Sequence, residues 1–250
     1  MDRTLKIQCG INPEPIPNGT VFINDETIGN TSDWAGSFLI FSMERHHISY
    51  TSGRSPRLPS PRDYFPPLDY YRRLSNKNPS QHVIGNFGEC VAAIFARRKL
   101  GASINDIIPL TTNRAIKRPD YFMNLEGTNI HNLFDTVIPH ETPFPHMEYL
   151  NWWPVESKAV AGRNDFWQKK RALIQLLSFW KSERVNIQLS IGYGMIVTYH
   201  YQNPIQVTVS LILPRERDEL YDYLEGPTPA EGGPENYYQT AARYLYDCNI

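Results

Sequence analysis

Two stretches of the chain carry the 3.6-residue spacing of apolar positions that is typical of amphipathic helices. The first is 86–100, where Asn86 suits the N-cap, Phe87, Val91, Ile94 and Phe95 form the apolar face, and Gly101 follows the end. The second extends from Asp165 to about Arg184. Short apolar runs bounded by turn residues predict strands at 20–23, 37–41, 119–125, 155–160, 188–200 and 205–213. Two further helices are predicted near 215–224 and 236–246.

Helix, strand, strand, helix, strand is the order of an α/β fold. The segment 51–68 is rich in Pro, Ser and Arg, which predicts a loop or linker. Residues 126–151 have no hydrophobic period, which indicates a long loop or an insertion. We therefore expect a β-rich segment with its linker at 1–68, a central core at 69–213 and an acidic, helical C-terminal extension at 214–250, packed as one globular unit.

The composition is that of an ordinary globular protein, with 250 residues, 41% hydrophobic and 20% charged. No apolar run approaches the roughly 18 residues that a membrane span needs, so we expect no membrane association. The first residues lack the apolar stretch of a signal peptide. Three scattered cysteines predict neither a disulfide framework nor a zinc site. These features favour a cytoplasmic, reducing environment.

The charge is unevenly distributed although the net charge is only −1. Residues 51–120 contain twelve Lys or Arg against five Asp or Glu, whereas 214–250 contain eight acids against three arginines. A basic middle segment is compatible with an anionic ligand such as nucleic acid, although clustered surface charge without a ligand would give the same pattern. The chain has no phosphate-binding or dinucleotide-binding glycine motif and no nucleophile elbow, which disfavours ATP-driven enzymes, dinucleotide-dependent oxidoreductases and α/β-hydrolases.

Acidic and basic residues at two predicted strands have the pattern that metal-assisted phosphodiester hydrolysis requires. Glu156 and Lys158 are two residues apart on a strand, so both side chains point to the same face. Asp120 and Glu156 lie at neighbouring strand ends and could share one Mg²⁺, which prefers carboxylate oxygens. Lys158 could then orient or deprotonate the attacking water and neutralise developing charge.

These elements resemble the PD-(D/E)xK nuclease superfamily over roughly residues 80–212. Pro119-Asp120 matches the PD element and Glu156-Ser157-Lys158 the ExK element. Glu89 resembles the additional acid on the preceding helix. Gln175 resembles the glutamine of the RecB-like branch, although Phe179 stands where that branch usually has tyrosine. The segment between Asp120 and Glu156 is also longer than the family's usual hairpin.

The resemblance implies a restriction-endonuclease-like fold, with a mixed central sheet flanked by helices. It further implies a DNA nuclease, an endonuclease in the first instance, that depends on Mg²⁺ or on Mn²⁺. The implied catalytic residues are Glu89, Asp120, Glu156, Lys158 and Gln175, and the implied metal ligands are Glu89, Asp120 and Glu156.

Each of these residues also has a structural interpretation. Asn86 and Glu89 fit a capping box, Gln175 fits the polar edge of an amphipathic helix, and the other two acids could be ordinary salt-bridged carboxylates. The 126–150 insertion adds rival acids and loop histidines that lack a tight metal-ligand spacing. These residues are Asp135, Glu141, Glu148, His131, His140 and His146.

Basic residues near the motif are the predicted DNA contacts, which would make binding salt-dependent. They are Arg97, Arg98, Lys99, Arg114, Lys117, Lys169, Lys170 and Arg171. RNA as substrate, a homodimer and a protein partner all stay open. The main alternative is a non-catalytic module of the same fold that binds DNA or a protein. A carbohydrate-active protein, suggested by the many aromatic residues, ranks last.

Overall fold

The computed structural model describes most of the central and C-terminal chain. The described residues are 4–11, 20–22, 100–103, 106–110, 118–128, 130, 152–160, 165–184, 187, 190–200, 206–227 and 233–245, with Gly85, Gly88, Glu89, Ala92, Phe95 and Ala96. The predicted strand at 37–41, the linker at 51–68 and all but a few residues of the predicted insertion lie outside these residues.

Seven strands form one mixed sheet. In chain order they are β1 (Thr4–Ile11), β2 (Thr20–Phe22), β3 (Ile107–Pro109), β4 (Tyr121–Asn124), β5 (Trp152–Val160), β6 (Gly194–His200) and β7 (Gln206–Ile212). Their spatial order is β2-β1-β7-β6-β5-β4-β3. The β1–β7 and β5–β6 pairs are parallel, and the other neighbours are antiparallel.

Three helices follow the central strands: α1 (Phe166–Glu183), α2 (Arg217–Glu225) and α3 (Gly233–Ala241), the last continued by a 3₁₀ turn at Ala242–Tyr244. Helix α1 connects the parallel strands β5 and β6, as a crossover helix does. Its apolar face packs in one buried cluster with residues of β6, β7, α2 and α3, among them Ile196, Ile212 and Leu220. Within the described chain, no helix combines the length and apolarity that crossing a membrane requires.

The opposite face of the sheet is approached by a second helical segment. Gly85, Gly88, Glu89, Ala92 and Phe95 are helical. Gly88 lies directly against the ring of Tyr199, with no room for a Cβ atom. Tyr199 follows Thr198 on β6, so its side chain points to the face of the sheet opposite α1. Since helices lie against both faces of a mixed sheet, the predicted α/β class is confirmed for the described residues.

Most predicted elements in the described residues agree with the structure to within a few residues. The helix predicted from Asp165 spans Phe166–Glu183, and the strand predicted at 205–213 spans Gln206–Ile212. The strand predicted at 188–200 begins only at Gly194, because the chain turns before it at Gly192, which has a φ of 85°. Strands β1 and β3 were not predicted, although the two isoleucines of β3 are a short apolar run.

Lys181 joins the C-terminal helices to α1. Its Nζ donates hydrogen bonds to the carbonyl oxygens of Leu224 (2.8 Å) and Gly226 (2.7 Å) and to the hydroxyl of Tyr237 (2.8 Å). The two carbonyls belong to the C-terminal end of α2, where a cation is favourable to the helix dipole. The acidic extension is therefore anchored to the helix that covers the central strands.

Replacement of Gly192 by alanine is expected to destabilise the fold more than the same change at Gly127. Both glycines have positive φ (85° and 68°), so each substitution costs about 1 kcal/mol of backbone strain. A Cβ at Gly192 would also lie 2.6 Å from Cβ of Pro214, whereas a Cβ at Gly127 meets nothing within 4 Å. We expect Gly192→Ala to lose about 2 kcal/mol more, by urea denaturation. Equal losses in the two variants would contradict this packing.

Candidate active site

Four of the residues selected from the sequence meet where the pairing between β4 and β5 ends. Glu156 and Lys158 lie on the face of β5 that α1 covers, since each pairs with a β6 residue on that face. Gln175 reaches them from the middle of α1, through a hydrogen bond to Lys158. Asp120 immediately precedes β4, beside the last register pair of β4 and β5. The structure thus brings together Asp120, Glu156, Lys158 and Gln175.

The Asp120 carboxylate continues the strand pairing where the backbone ladder stops. The last β4–β5 register pair is Tyr121–Val155, so Ser157 lies beyond it. Oδ2 of Asp120 accepts hydrogen bonds from the backbone N–H (2.8 Å) and the hydroxyl (2.6 Å) of Ser157. These bonds satisfy a donor that would otherwise have no ladder partner. They also hold Asp120 beside Glu156. Both bonds are made by Oδ2 of Asp120 and neither by Oδ1.

Lys158 is the centre of a hydrogen-bond chain that joins three segments. Its Nζ forms an ion pair with Oε1 of Glu156 and donates to Oε1 of Gln175 (3.1 Å). The amide Nε2 of Gln175 donates in turn to the carbonyl oxygen of Arg118 (2.6 Å). Both ends of the Gln175 amide are therefore used, which fixes its orientation. The position of Lys158 is set by β5, by α1 and by the segment before β4 together.

Glu156 is buried in a way that is costly for a carboxylate. It is 1% exposed, and its Oε2 has no hydrogen-bond partner among the described residues. Burial, followed by the charge of Asp120, raises the pKa of Glu156 from 4.5 to about 8, while Lys158 and the backbone of Asp120 act in the opposite direction. A negative charge on Glu156 beside that of Asp120 is unfavourable unless a cation offsets it.

In the absence of divalent ions, Glu156 is expected to make the protein less stable as the pH rises. Its pKa in the folded protein, about 8, is above the value of 4.5 for an unburied glutamate. Its contribution to stability is therefore complete below about pH 4.5 and is lost as the pH rises through 8. The free energy of unfolding, relative to Glu156→Gln, should fall by roughly 3–5 kcal/mol between about pH 5 and about pH 9.

Urea denaturation of both proteins in EDTA measures this difference. The glutamine variant keeps the shape of the side chain and removes the titrating group, so it is the matched reference. Parallel pH profiles of the two proteins would contradict a buried, titrating Glu156.

The residues present fit one hard cation with few protein ligands. Glu156 contributes a buried carboxylate oxygen without a partner, and Asp120 contributes a carboxylate beside it. Magnesium is commonly held by one or two carboxylates, with water and substrate phosphate completing its coordination. In the part of the chain that the structure describes, no group of three or more His, Cys, Asp or Glu could hold a metal ion.

Glu89 therefore does not join the two acids in such a group. It is half-buried, makes contacts within the protein and follows Gly88, which lies against Tyr199. Its capping-box partner Asn86 lies outside the described residues, so that interpretation stays a prediction. The rival acids and histidines of the insertion, Asp135, Glu141, Glu148, His131, His140 and His146, also lie outside them.

The predicted DNA contacts divide into two sets. Arg97, Arg98, Lys99, Arg114 and Lys117 lie outside the described residues. The other three lie on the first turns of α1. Lys169 forms an ion pair with Asp165 (2.8 Å), Nζ of Lys170 lies 5.5 Å from the ring centroid of Trp167, and Arg171 is exposed.

Sequence reasoning missed two supporting side chains. Ser157, between the two ExK residues, is the hydrogen-bond partner of Asp120. Asp165 accepts from the hydroxyl of the buried Thr198 (3.2 Å), which ties the start of α1 to β6 beside the site. A hydroxyl between the motif residues was visible in the sequence, but the contact between Asp165 and Thr198 depends on how α1 packs.

Comparison of the chain with known proteins adds no relative. No family model matches it, and neither a curated protein nor a solved structure does. The function of the site must therefore be inferred from its own residues and geometry.

Proposed function

We propose that the protein is a metal-dependent nuclease that hydrolyses DNA phosphodiester bonds, in the first instance as an endonuclease. The site residues are Asp120, Glu156, Lys158 and Gln175. The proposal includes a restriction-endonuclease-like fold, supported by the order of helix, antiparallel strands, crossover helix and parallel strand around the motif.

One observation carries the proposal: a nearly inaccessible carboxylate oxygen, Oε2 of Glu156, has no partner among the described residues and lies beside a second acid and a lysine. A carboxylate buried only for stability would have its oxygens hydrogen-bonded. An oxygen without a partner, next to Asp120, is suited to a cation. These two carboxylates and the lysine are the groups that a hydrolase with one bound cation and one catalytic lysine requires.

Asp120 and Glu156 would hold the cation, Mg²⁺ or Mn²⁺. When bound, the cation would polarise a phosphate oxygen and lower the pKa of a coordinated water. The carboxylates supply the negative charge that attracts it, and the two bonds from Ser157 keep Asp120 from turning away. Binding would also favour the ionised form of Glu156, so that uptake of the cation releases a proton.

Lys158 would act on the attacking water and on the phosphate. Its Nζ is held by Glu156 and Gln175, which leaves its third N–H direction for a water or a phosphate oxygen. The water attacks phosphorus and loses a proton to solvent, the bond from phosphorus to the leaving oxygen breaks, and that oxygen takes up a proton from solvent. The products are a phosphate monoester and an alcohol. The ammonium of Lys158 offsets the negative charge that grows on the phosphate during this step.

Plasmid cleavage is the direct test. Purified full-length protein is incubated with supercoiled and linear DNA in Mg²⁺, in Mn²⁺ and in EDTA, beside Glu156→Gln and Ser157→Ala. We expect nicking or linearisation that requires the cation and Glu156. Ser157→Ala removes a hydroxyl beside the acids but keeps the backbone bond to Asp120, so it should retain most of the activity.

Cleavage that persists in EDTA, or in Glu156→Gln, would overturn the assignment. DNA binding without cleavage in any divalent ion would favour the non-catalytic module in its place. Cleavage of linear DNA from its ends alone would change the endonuclease to an exonuclease and leave the site assignment standing.

A further inference from the structure

Two large aromatic side chains are exposed at the beginning of α1. Phe166 is 42% exposed and Trp167 is 62% exposed, and their ring centroids are 5.4 Å apart at an interplanar angle of 77°. Among the residues that the structure describes, only one other large hydrophobic side chain, Ile108, is comparably exposed, on the edge strand β3. Within the described residues, two exposed large apolar side chains are therefore in contact with each other only at this pair.

Basic residues of α1 follow this pair directly in the chain. Nζ of Lys170 lies 5.5 Å from the centroid of the Trp167 ring, within the range of a cation–π contact. Lys169 and Arg171 lie on the same turns of the helix. No acidic residue lies in the first turn of α1, and the Asp165 carboxylate before it is already bonded to Lys169 and Thr198. Lys170 and Arg171 therefore give the first turns of α1 basic groups that can attract an anion.

The pair also lies beside the proposed catalytic groups. Thr198, which holds Asp165, is the β6 register partner of Lys158. Adjacent strands are about 5 Å apart, so the Asp165 carboxylate is bonded to a side chain on the strand next to that of Lys158. Gln175, two turns further along the same helix, contacts the Lys158 side chain. A substrate held on the aromatic pair would lie within a few nucleotides of the scissile phosphate.

From these observations we propose that Trp167, with Phe166 beside it and Lys170 and Arg171 around it, stacks on an unpaired base of the nucleic-acid substrate. The inference rests on the proposed function and names its substrate class, which is DNA with single-stranded nucleotides next to the cleaved bond. An exposed aromatic ring flanked by cations matches a base flanked by phosphates, and stacking does not depend on base identity. In a closed duplex the faces of the bases are covered by their neighbours.

Binding measurements with oligonucleotides test whether the Trp167 ring stacks on a base. The full-length protein is titrated in EDTA, where cleavage is suppressed, with a fluorescent single-stranded oligothymidylate and with a fully paired, blunt-ended duplex. We expect tighter binding of the single strand, and Trp167→Ala should weaken it about 10-fold. Trp167→Phe should restore most of the affinity, and Trp167→Leu, which is apolar but has no ring face, should not. Ile108→Ala is the matched control for loss of an exposed apolar side chain.

Each outcome decides between the proposals. Unchanged single-strand binding in Trp167→Ala, with metal-dependent plasmid cleavage intact, overturns the stacking inference and leaves the nuclease standing. Rescue by leucine equal to rescue by phenylalanine also overturns it, because apolar contact without a ring face would then be sufficient for binding. Ring-dependent binding of the single strand, with no cleavage in any cation, supports stacking and overturns the nuclease. Absence of binding to either oligonucleotide overturns the stacking inference by itself.

Discussion

Replacement of Lys158 by methionine is expected to reduce DNA cleavage about a thousand-fold while leaving the fold in place. Methionine has nearly the length of lysine and no charge, so the variant removes the ammonium between Glu156 and Gln175. Loss of one positioned charge or proton-transfer group in an active site costs about 100- to 10,000-fold in rate. The measurement is the initial rate of plasmid nicking in saturating Mg²⁺, with Mn²⁺ binding measured in parallel.

The pH dependence of the variant distinguishes a direct role of Lys158 from an indirect one. Lys158 lowers the pKa of Glu156, so its removal raises that pKa further and favours the protonated acid. If this were the whole effect, raising the pH would restore cleavage, because Glu156 would ionise again. We expect the loss to persist at alkaline pH. Recovery to the wild-type rate there would contradict a direct role.

Replacement of Gln175 by alanine removes the second hydrogen-bond partner of Lys158. The initial rate of plasmid nicking should fall about 10- to 100-fold.

Truncation of Trp180 to alanine is expected to cost about 3–5 kcal/mol, the largest stability effect among these substitutions. The side chain is fully buried in the cluster between α1, the sheet and the C-terminal helices. It also lies against the start of β6, since a Cβ on Gly194 would be 3.1 Å from Cζ2 of Trp180. The cavity left by alanine would open where the crossover helix meets the strand that follows it.

The same helix offers a matched control. Trp167 is exposed, so Trp167→Ala should change the free energy of unfolding by less than about 0.5 kcal/mol. Because a loss of 3–5 kcal/mol is a large part of a typical domain's stability, Trp180→Phe provides a milder variant. It keeps much of the apolar volume, and the lost part of the indole includes an N–H that has no partner among the described residues. Comparable unfolding midpoints for the two alanine variants would contradict the packing of α1.

The pairing of Glu156 with Lys158 could be read from the chain because it depends on local geometry alone. Residues two apart on a strand share a face whatever the strand packs against, and the apolar runs around them identified the strand. The position of Gln175 on α1 followed in the same way from the helical period. The burial of Glu156 could not be predicted, because it arises from α1 and the neighbouring strands, which close over β5 only in three dimensions.

By itself, the sequence determined the α/β class, the bounds of α1, the presence of the strands beside it, and the side chains that carry the proposed chemistry. Hydrophobic periodicity and turn residues act within a few positions, so they leave a local record. Only the tertiary structure decided the order of seven strands, the bonding of Asp120 to Ser157 and the exposure of Trp167. Each of these depends on contacts between distant segments, where one strand ends beside another or a helix meets the sheet. The raised pKa of Glu156 belongs with them, since removal from water is a property of the assembled fold.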